Sequence, residues 1–115
     1  MKIAIPYQED NTLYSHTGST EAYKIYEVEG KNIISTEVVD SMEHQHTMIP
    51  AFLRDHGVNV LLCGDIGDHL FALLRLVDIK AYSTLEGNCD ELVHSFLEGT
   101  LNLNEAPTHE CGCHH

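Results

Sequence analysis

The chain has 115 residues, 43% of them apolar, and a mean hydropathy of -0.17, the size and balance of one domain that can bury its own core. Eighteen acidic against six basic residues give a formal net charge of -12. That field argues against nucleic acid and membrane surfaces as partners, because phosphate binding needs a basic stripe, and it favours cations.

The opening run 1–6 is too short for a signal peptide, and no stretch approaches membrane-spanning length. The expected location is therefore cytoplasmic, with Cys63, Cys89, Cys111 and Cys113 reduced and serving as ligands or as buried apolar residues. Lys2–Pro6 reads as a buried strand bounded by its proline, and a polar loop follows to about residue 21. Residues 22–28 alternate as a strand, with Tyr23, Ile25 and Glu27 on one face and Tyr26 and Val28 on the other. A turn at 29–32 leads to the β-branched run 33–39, its hairpin partner.

A short loop carries His44 and His46. Met48, Ile49, Phe52, Leu53 and His56 then recur at helical spacing, with Thr47 as the expected cap and Gly57 as the stop. Residues 58–63 form an apolar strand of the kind covered on both faces. Ile66, Leu70, Leu73, Leu74 and Val77 make the stripe of a second helix, and 79–82 is another strand. Asn88 caps a third helix that buries Cys89, Leu92, Val93, Phe96 and Leu97 and closes at Gly99. The remainder has little periodicity and reads as a tail.

This order predicts an α/β fold: a mixed five-stranded sheet, strand two antiparallel to the others, with three flanking helices. Loops leaving the carboxyl ends of the parallel strands share one edge, where open α/β sheets bind ligands. On that edge fall His16, His44 with His46, residues 63–67 and residues 86–89.

The tail His109-Glu110-Cys111-Gly112-Cys113-His114-His115 concentrates imidazoles and thiols, which select zinc, copper(I) or iron–sulfur species over magnesium or calcium. Cys-Gly-Cys is tighter than the usual spacing of structural zinc ligands, and its glycine lets the chain turn back over so short a reach. His114 and His115 read either as native ligands or as an affinity-tag remnant, an alternative that leaves Cys111 and Cys113 untouched. The third helix leads away from the ligand edge, so the tail either returns to it, binds metal alone, or couples two chains through a shared ion.

Met1-Lys2-Ile3-Ala4-Ile5-Pro6, Ser15-His16-Thr17-Gly18, Cys63-Gly64-Asp65-Ile66-Gly67 and the closing stretch from Gly87, with Leu97-Glu98-Gly99-Thr100-Leu101, together resemble one family. It is the dinitrogenase iron–molybdenum cofactor biosynthesis family of NifX-type small cluster-binding domains. The resemblance spans roughly residues 1–101 and leaves 102–115 as a Cys/His-rich tail. It implies a ribonuclease-H-like sheet and non-enzymatic binding or carriage of an iron–sulfur or molybdenum–iron–sulfur type cluster, with cluster donor and acceptor proteins as partners. Many relatives are not tied to nitrogen fixation, so molybdenum does not follow. Five positions depart from the family pattern. Thr17 replaces a phenylalanine, Asp65 a glycine, Asp68-His69 small residues or proline, and Asp78 the glycine that ends the second helix. Asp65, Asp68 and His69 read either as added ligands or as solvated residues favoured by a helix N-terminus.

The candidate cofactor-binding set is His16, Gly18, His44, His46, Cys63, Gly64, Asp65 and Gly67: His16, Gly18, Cys63, Gly64 and Gly67 from the motifs that carry the resemblance, and His44, His46 and Asp65 from their expected place on the ligand edge. His109, Cys111, Cys113, His114 and His115 form the metal-binding set of the tail. His44 and His46 are expected to ligate singly, since alternate residues of an extended loop face opposite ways. Cys63 reads first as a small buried apolar residue and second as a thiolate at a strand-to-helix turn. Cys89 reads as packing, His56 as packing or capping, and His94 as exposed. The expected function is cluster carriage; the alternative is soft-metal binding or delivery, of zinc or copper, through the tail. A ribonuclease-H-type enzyme is opposed by the lack of carboxylates in the first strand, and a nucleotide site by the lack of a phosphate loop. The chain is expected to be a monomer or a weak homodimer.

Overall fold

The structure, a computed structural model, describes residues 1–40 and 48–108. Thr47, His44 and His46, and the tail donors His109, Cys111, Cys113, His114 and His115, lie outside the described residues. In chain order the elements are β1 (Lys2–Pro6), β2 (Ala22–Glu29), β3 (Asn32–Asp40), α1 (Ile49–Asp55), β4 (Val60–Leu62), α2 (Asp68–Leu76), β5 (Lys80–Tyr82) and α3 (Cys89–Glu98). The strands lie in the order β3-β2-β1-β4-β5. β2 is antiparallel to both neighbours, and β1, β4 and β5 run parallel, as the element order predicts.

Alternation along the strands sorts the core into two layers. Ala4 of β1 and Tyr23 and Ile25 of β2 pack with α1 and α2 through Phe52, Leu53, Leu70 and Leu74. Ile3, Ile5, Tyr26 and Val28 face the opposite way and pack with Leu92 and Val93 of α3. The central strand β1 is thus covered on both sides, and each fully buried isoleucine contributes about 1.5–3 kcal/mol relative to exposure.

Local chemistry sets most boundaries. Asn88 Oδ1 accepts from the Glu91 amide at 3.1 Å to start α3, and Gly99 stops it with φ 78°. Asp78 takes the left-handed conformation (φ 62°) that a short polar side chain tolerates. Several strand boundaries differ from expectation by one or two residues. β4 begins at Val60 rather than residue 58, because the Val58 amide bonds Leu53 O at 3.0 Å and closes α1 instead of joining the ladder. At α1 the flanking residue Met48 makes no side-chain cap hydrogen bond, and a proline in the first turn starts the helix; the expected cap, Thr47, lies outside the described residues. No helix among the described residues is long and apolar enough to cross a membrane.

Candidate functional site

Loops at the carboxyl edge of β1, β4 and β5 are laced together by backbone hydrogen bonds. The Asp65 amide donates to Ser15 O at 2.7 Å and the Thr17 amide to Asp65 O at 3.3 Å, so that His16 and Asp65 form a parallel bridge. Gly64 permits this approach: a Cβ there would meet Ser15 Cα and O at 3.1 Å each and Leu13 Cδ2 at 3.3 Å. On the other side of the turn, Cys63 O accepts from Leu85 N at 3.0 Å and Gly64 O from Thr84 N at 2.9 Å.

The lacing fixes His16 at the surface. Its Nδ1 lies 3.7 Å from Asp65 Oδ2, too far for a hydrogen bond, and the two side chains are 64% and 53% exposed. The Tyr14 ring stands edge-on to the imidazole, with centroids 5.8 Å apart. Gly18 lies in a short 3₁₀ turn (Thr17–Ser19), and Gly67 is the extended N-cap of α2, where Asp68 and His69 follow.

Cys63 sits one layer below. It is fully buried in the layer covered by α1 and α2, and burial pushes its thiol up to about 12. The Thr17 hydroxyl opposes that shift and the Asp65 charge adds to it. The Thr17 hydroxyl is itself buried and makes no hydrogen bond of ordinary geometry. At neutral pH Cys63 is therefore a thiol of the core, with Thr17 over it and His16 outside. Cys89 is buried against α3's layer and pushed up to about 11, first by burial, as a packing residue should be. His56 caps α1 with its ring 4.7 Å from Phe52, and His94 is exposed. Among the described residues no group of three or more His, Cys, Asp or Glu is placed to hold a metal ion.

Sequence reasoning missed two features near His16 and left a third as one of several alternatives. The first is Tyr14, whose position shows no period. The second is a groove of about 870 Å³ beside it, walled by Tyr14 and Tyr7 and by the carboxylates of Glu9, Asp10, Glu21 and Asp40. Glu9, Asp10 and Glu21 come from the loop between β1 and β2 and Asp40 from the end of β3, and together they make the edge attractive to cations. The third is the chain beyond α3, which returns to the rim. The Ser83 amide donates to Asn104 O at 2.8 Å, and the buried Ser83 hydroxyl also bonds Ala106 O. Thr108 then pairs with Ile66 in both directions: Thr108 N to Ile66 O and Ile66 N to Thr108 Oγ1, each 2.8 Å.

Known proteins resemble this chain in sequence or in fold. The uncharacterized protein MJ0580 of Methanocaldococcus jannaschii is 29% identical over 110 residues, which cover 91% of this chain and 92% of that one. Among solved structures, PH0822 superposes with a TM-score of 0.84 at 24% identity over 90% of this chain and 95% of its own. The apo form of the orange protein from Desulfovibrio gigas gives 0.79 at 23% identity over 93% and 95%. A family profile described as "Dinitrogenase iron-molybdenum cofactor" matches residues 1–99. By that match the chain belongs to the dinitrogenase iron–molybdenum cofactor family, as a non-catalytic protein that binds metal clusters.

Proposed function

We propose that the protein carries an iron–sulfur or molybdenum–iron–sulfur type cluster at the rim of β1 and β4, with His16 as the exposed ligand of the body. The observation that supports this reading is the backbone lacing between Ser15, Thr17 and Asp65, which holds an imidazole at the ligand edge of the sheet. Imidazole nitrogen and thiolate sulfur suit iron, while Asp65 offers a harder oxygen. Gly18 and Gly67 keep the approach free of side chains, and Gly64 keeps the two loops together. Cys63 becomes a second ligand only when Thr17 moves aside and a metal displaces the thiol proton. His44 and His46, which follow β3 in the sequence, are further candidate donors. Residues 1–101 form the cofactor-binding domain and 102–115 a metal-binding arm. The cargo passes between donor and acceptor proteins in the cytoplasm, the carrier being a monomer or a weak homodimer.

The second reading, soft-metal binding or delivery of zinc or copper through the tail, is favoured by the donors packed into His109, Cys111, Cys113, His114 and His115. Anaerobic reconstitution with iron and sulfide separates the two. Carriage at the rim predicts a visible chromophore with iron and sulfide in the wild type, lost in His16→Ala. Uptake of zinc or copper alone, unaffected by His16→Ala and abolished in Cys111→Ser/Cys113→Ser, overturns it in favour of the tail.

A further inference from the structure

The groove beside His16 combines a shape and a charge that together specify an occupant. Its volume of about 870 Å³ lies in the range of roughly 300–1,000 Å³ that holds a ligand. Part of its wall is aromatic or apolar: Tyr7 and Tyr14 are half-buried, and Val38 on the edge strand β3 is 50% exposed. The rest is one-sided in charge. Glu9, Asp10, Glu21 and Asp40 line it, and no lysine, arginine or histidine does.

The chain does not answer this charge itself. Lys24 lies on β2 just beyond the groove, but its ammonium is held elsewhere, 2.8 Å from Asn11 Oδ1 and 3.0 Å from Asp90 Oδ1. Glu9 and Glu21 are exposed and enter no ion pair among the described residues. With six basic residues against eighteen acids, the complement has to come from another molecule.

The groove is also tied to the rim. Ser19 lines it and donates its amide to His16 O at 3.0 Å, and Tyr14 lines it while standing edge-on to the His16 ring. An occupant therefore lies against the loop that carries the exposed imidazole. A free small cation would fill the groove without using that adjacency, whereas a protein docked there is placed to exchange cargo with the rim.

We infer that the groove is a docking surface for an arginine-bearing segment of the protein that gives or takes the cargo. This rests on the reading that the rim carries a cluster, and it names the contact chemistry of the partner. Arginine fits better than lysine for a physical reason. A planar guanidinium forks onto a carboxylate and stacks on a tyrosine ring, while an ammonium offers only a point charge. The acidic wall steers the encounter, and the aromatic wall fixes the pose.

The test is fluorescence polarisation of labelled tetra-arginine and tetra-lysine peptides on the metal-free, reduced full-length chain at fixed ionic strength. Spermine, a small cation of the same charge, serves as competitor. The wild type should bind the arginine peptide at least about 2-fold more tightly than the lysine peptide. That binding should shift the Tyr7, Tyr14 and His16 ring signals in the NMR spectrum. Glu9→Gln/Glu21→Gln should weaken the arginine peptide about 3–10-fold. Glu29→Gln/Glu98→Gln removes equal charge from exposed positions outside the groove and should weaken it by less than about 2-fold. Tyr7→Leu and Tyr14→Leu should abolish the preference for arginine, and Tyr7→Phe and Tyr14→Phe should keep it, with circular dichroism confirming folding. Equal weakening by the two double variants, equal affinity for the two peptides, or tighter binding of spermine than of the arginine peptide each overturns the docking surface. Reconstitution with iron and sulfide reports separately on carriage, and Glu9→Gln/Glu21→Gln should form the same chromophore as the wild type. A chromophore without groove-dependent peptide binding leaves carriage standing and overturns the docking surface. Peptide binding in the groove without a chromophore keeps the docking surface and overturns carriage.

Discussion

Gly64 carries a packing requirement that a ligand-binding reading does not supply. The space that a Cβ needs is filled by the Ser15 backbone at 3.1 Å and by Leu13 Cδ2 at 3.3 Å, and backbone yields less readily than a side-chain tip. Alanine pushes the Leu13–Thr17 loop off the turn and lengthens the 2.7 Å bond from the Asp65 amide to Ser15 O. Overpacking of this kind costs about 1–3 kcal/mol. Gly64→Ala is accordingly expected to lower the urea midpoint by that amount and to weaken His16-dependent metal uptake in the folded fraction. A variant as stable as the wild type with uptake intact shows that the loop has room to spare. The neighbouring Thr17 makes a related point. Where the family has phenylalanine, this chain places a hydroxyl over the Cys63 thiol, and that hydroxyl finds no ordinary partner. A polar atom left so beneath an exposed histidine costs stability, which a purely structural residue at that position would have no reason to incur.

Elements separate into those whose causes are local and those whose causes are not. α3 is local: a side-chain cap, acids in its first turn at Asp90 and Glu91, an apolar stripe and a left-handed glycine stop. Asn88→Ala removes the hydrogen bond to the Glu91 amide and should destabilise the fold by about 1 kcal/mol, read from denaturant unfolding. A loss near zero means that water or a backbone shift replaces the cap. Such features were legible from the residues: the faces of β2, the cap of α3 and the parallel run of β1, β4 and β5 that gives their loops a common edge. The start of β4 was misjudged by two residues, where a helix end took an amide that the apolar run had assigned to a strand. The bridge of His16 with Asp65 and the bonds of residues 104–108 to Ser83 and Ile66 had no such signature. They join loops far apart in the chain through single hydrogen bonds, and loops carry no periodicity to announce them. Thus the edge on which the site lies was legible, while the contacts that assemble it were not.

Across the whole molecule, protonation ties the buried site to stability. Cys63 is pushed up to about 12 and Cys89 to about 11 from an ordinary 9.0, and burial also raises Tyr23 and Tyr26. In the unfolded chain these groups ionise at their ordinary values, so above pH 9 the native state holds more protons than the unfolded one. Stability then falls as pH rises. The contribution is complete below pH 9 and is lost as pH climbs toward 11 and 12, where the native thiols ionise. On the acid side the sign reverses for Asp90, whose carboxyl is lowered by the Tyr26 hydroxyl and by Lys24; its contribution is lost as pH falls through the folded value. The formal charge of -12 adds self-repulsion that grows as thiols and phenols ionise. Urea unfolding measured at fixed ionic strength between pH 8 and pH 11 should therefore show midpoints that decline from pH 9 upward. Cys63→Ala lowers the whole curve by its cavity but makes the decline shallower, because one proton linked to folding is gone. A wild-type midpoint that stays flat to pH 11 means that the Cys63 and Cys89 thiols are open to solvent, and the rim then has an accessible sulfur that this packing denies it.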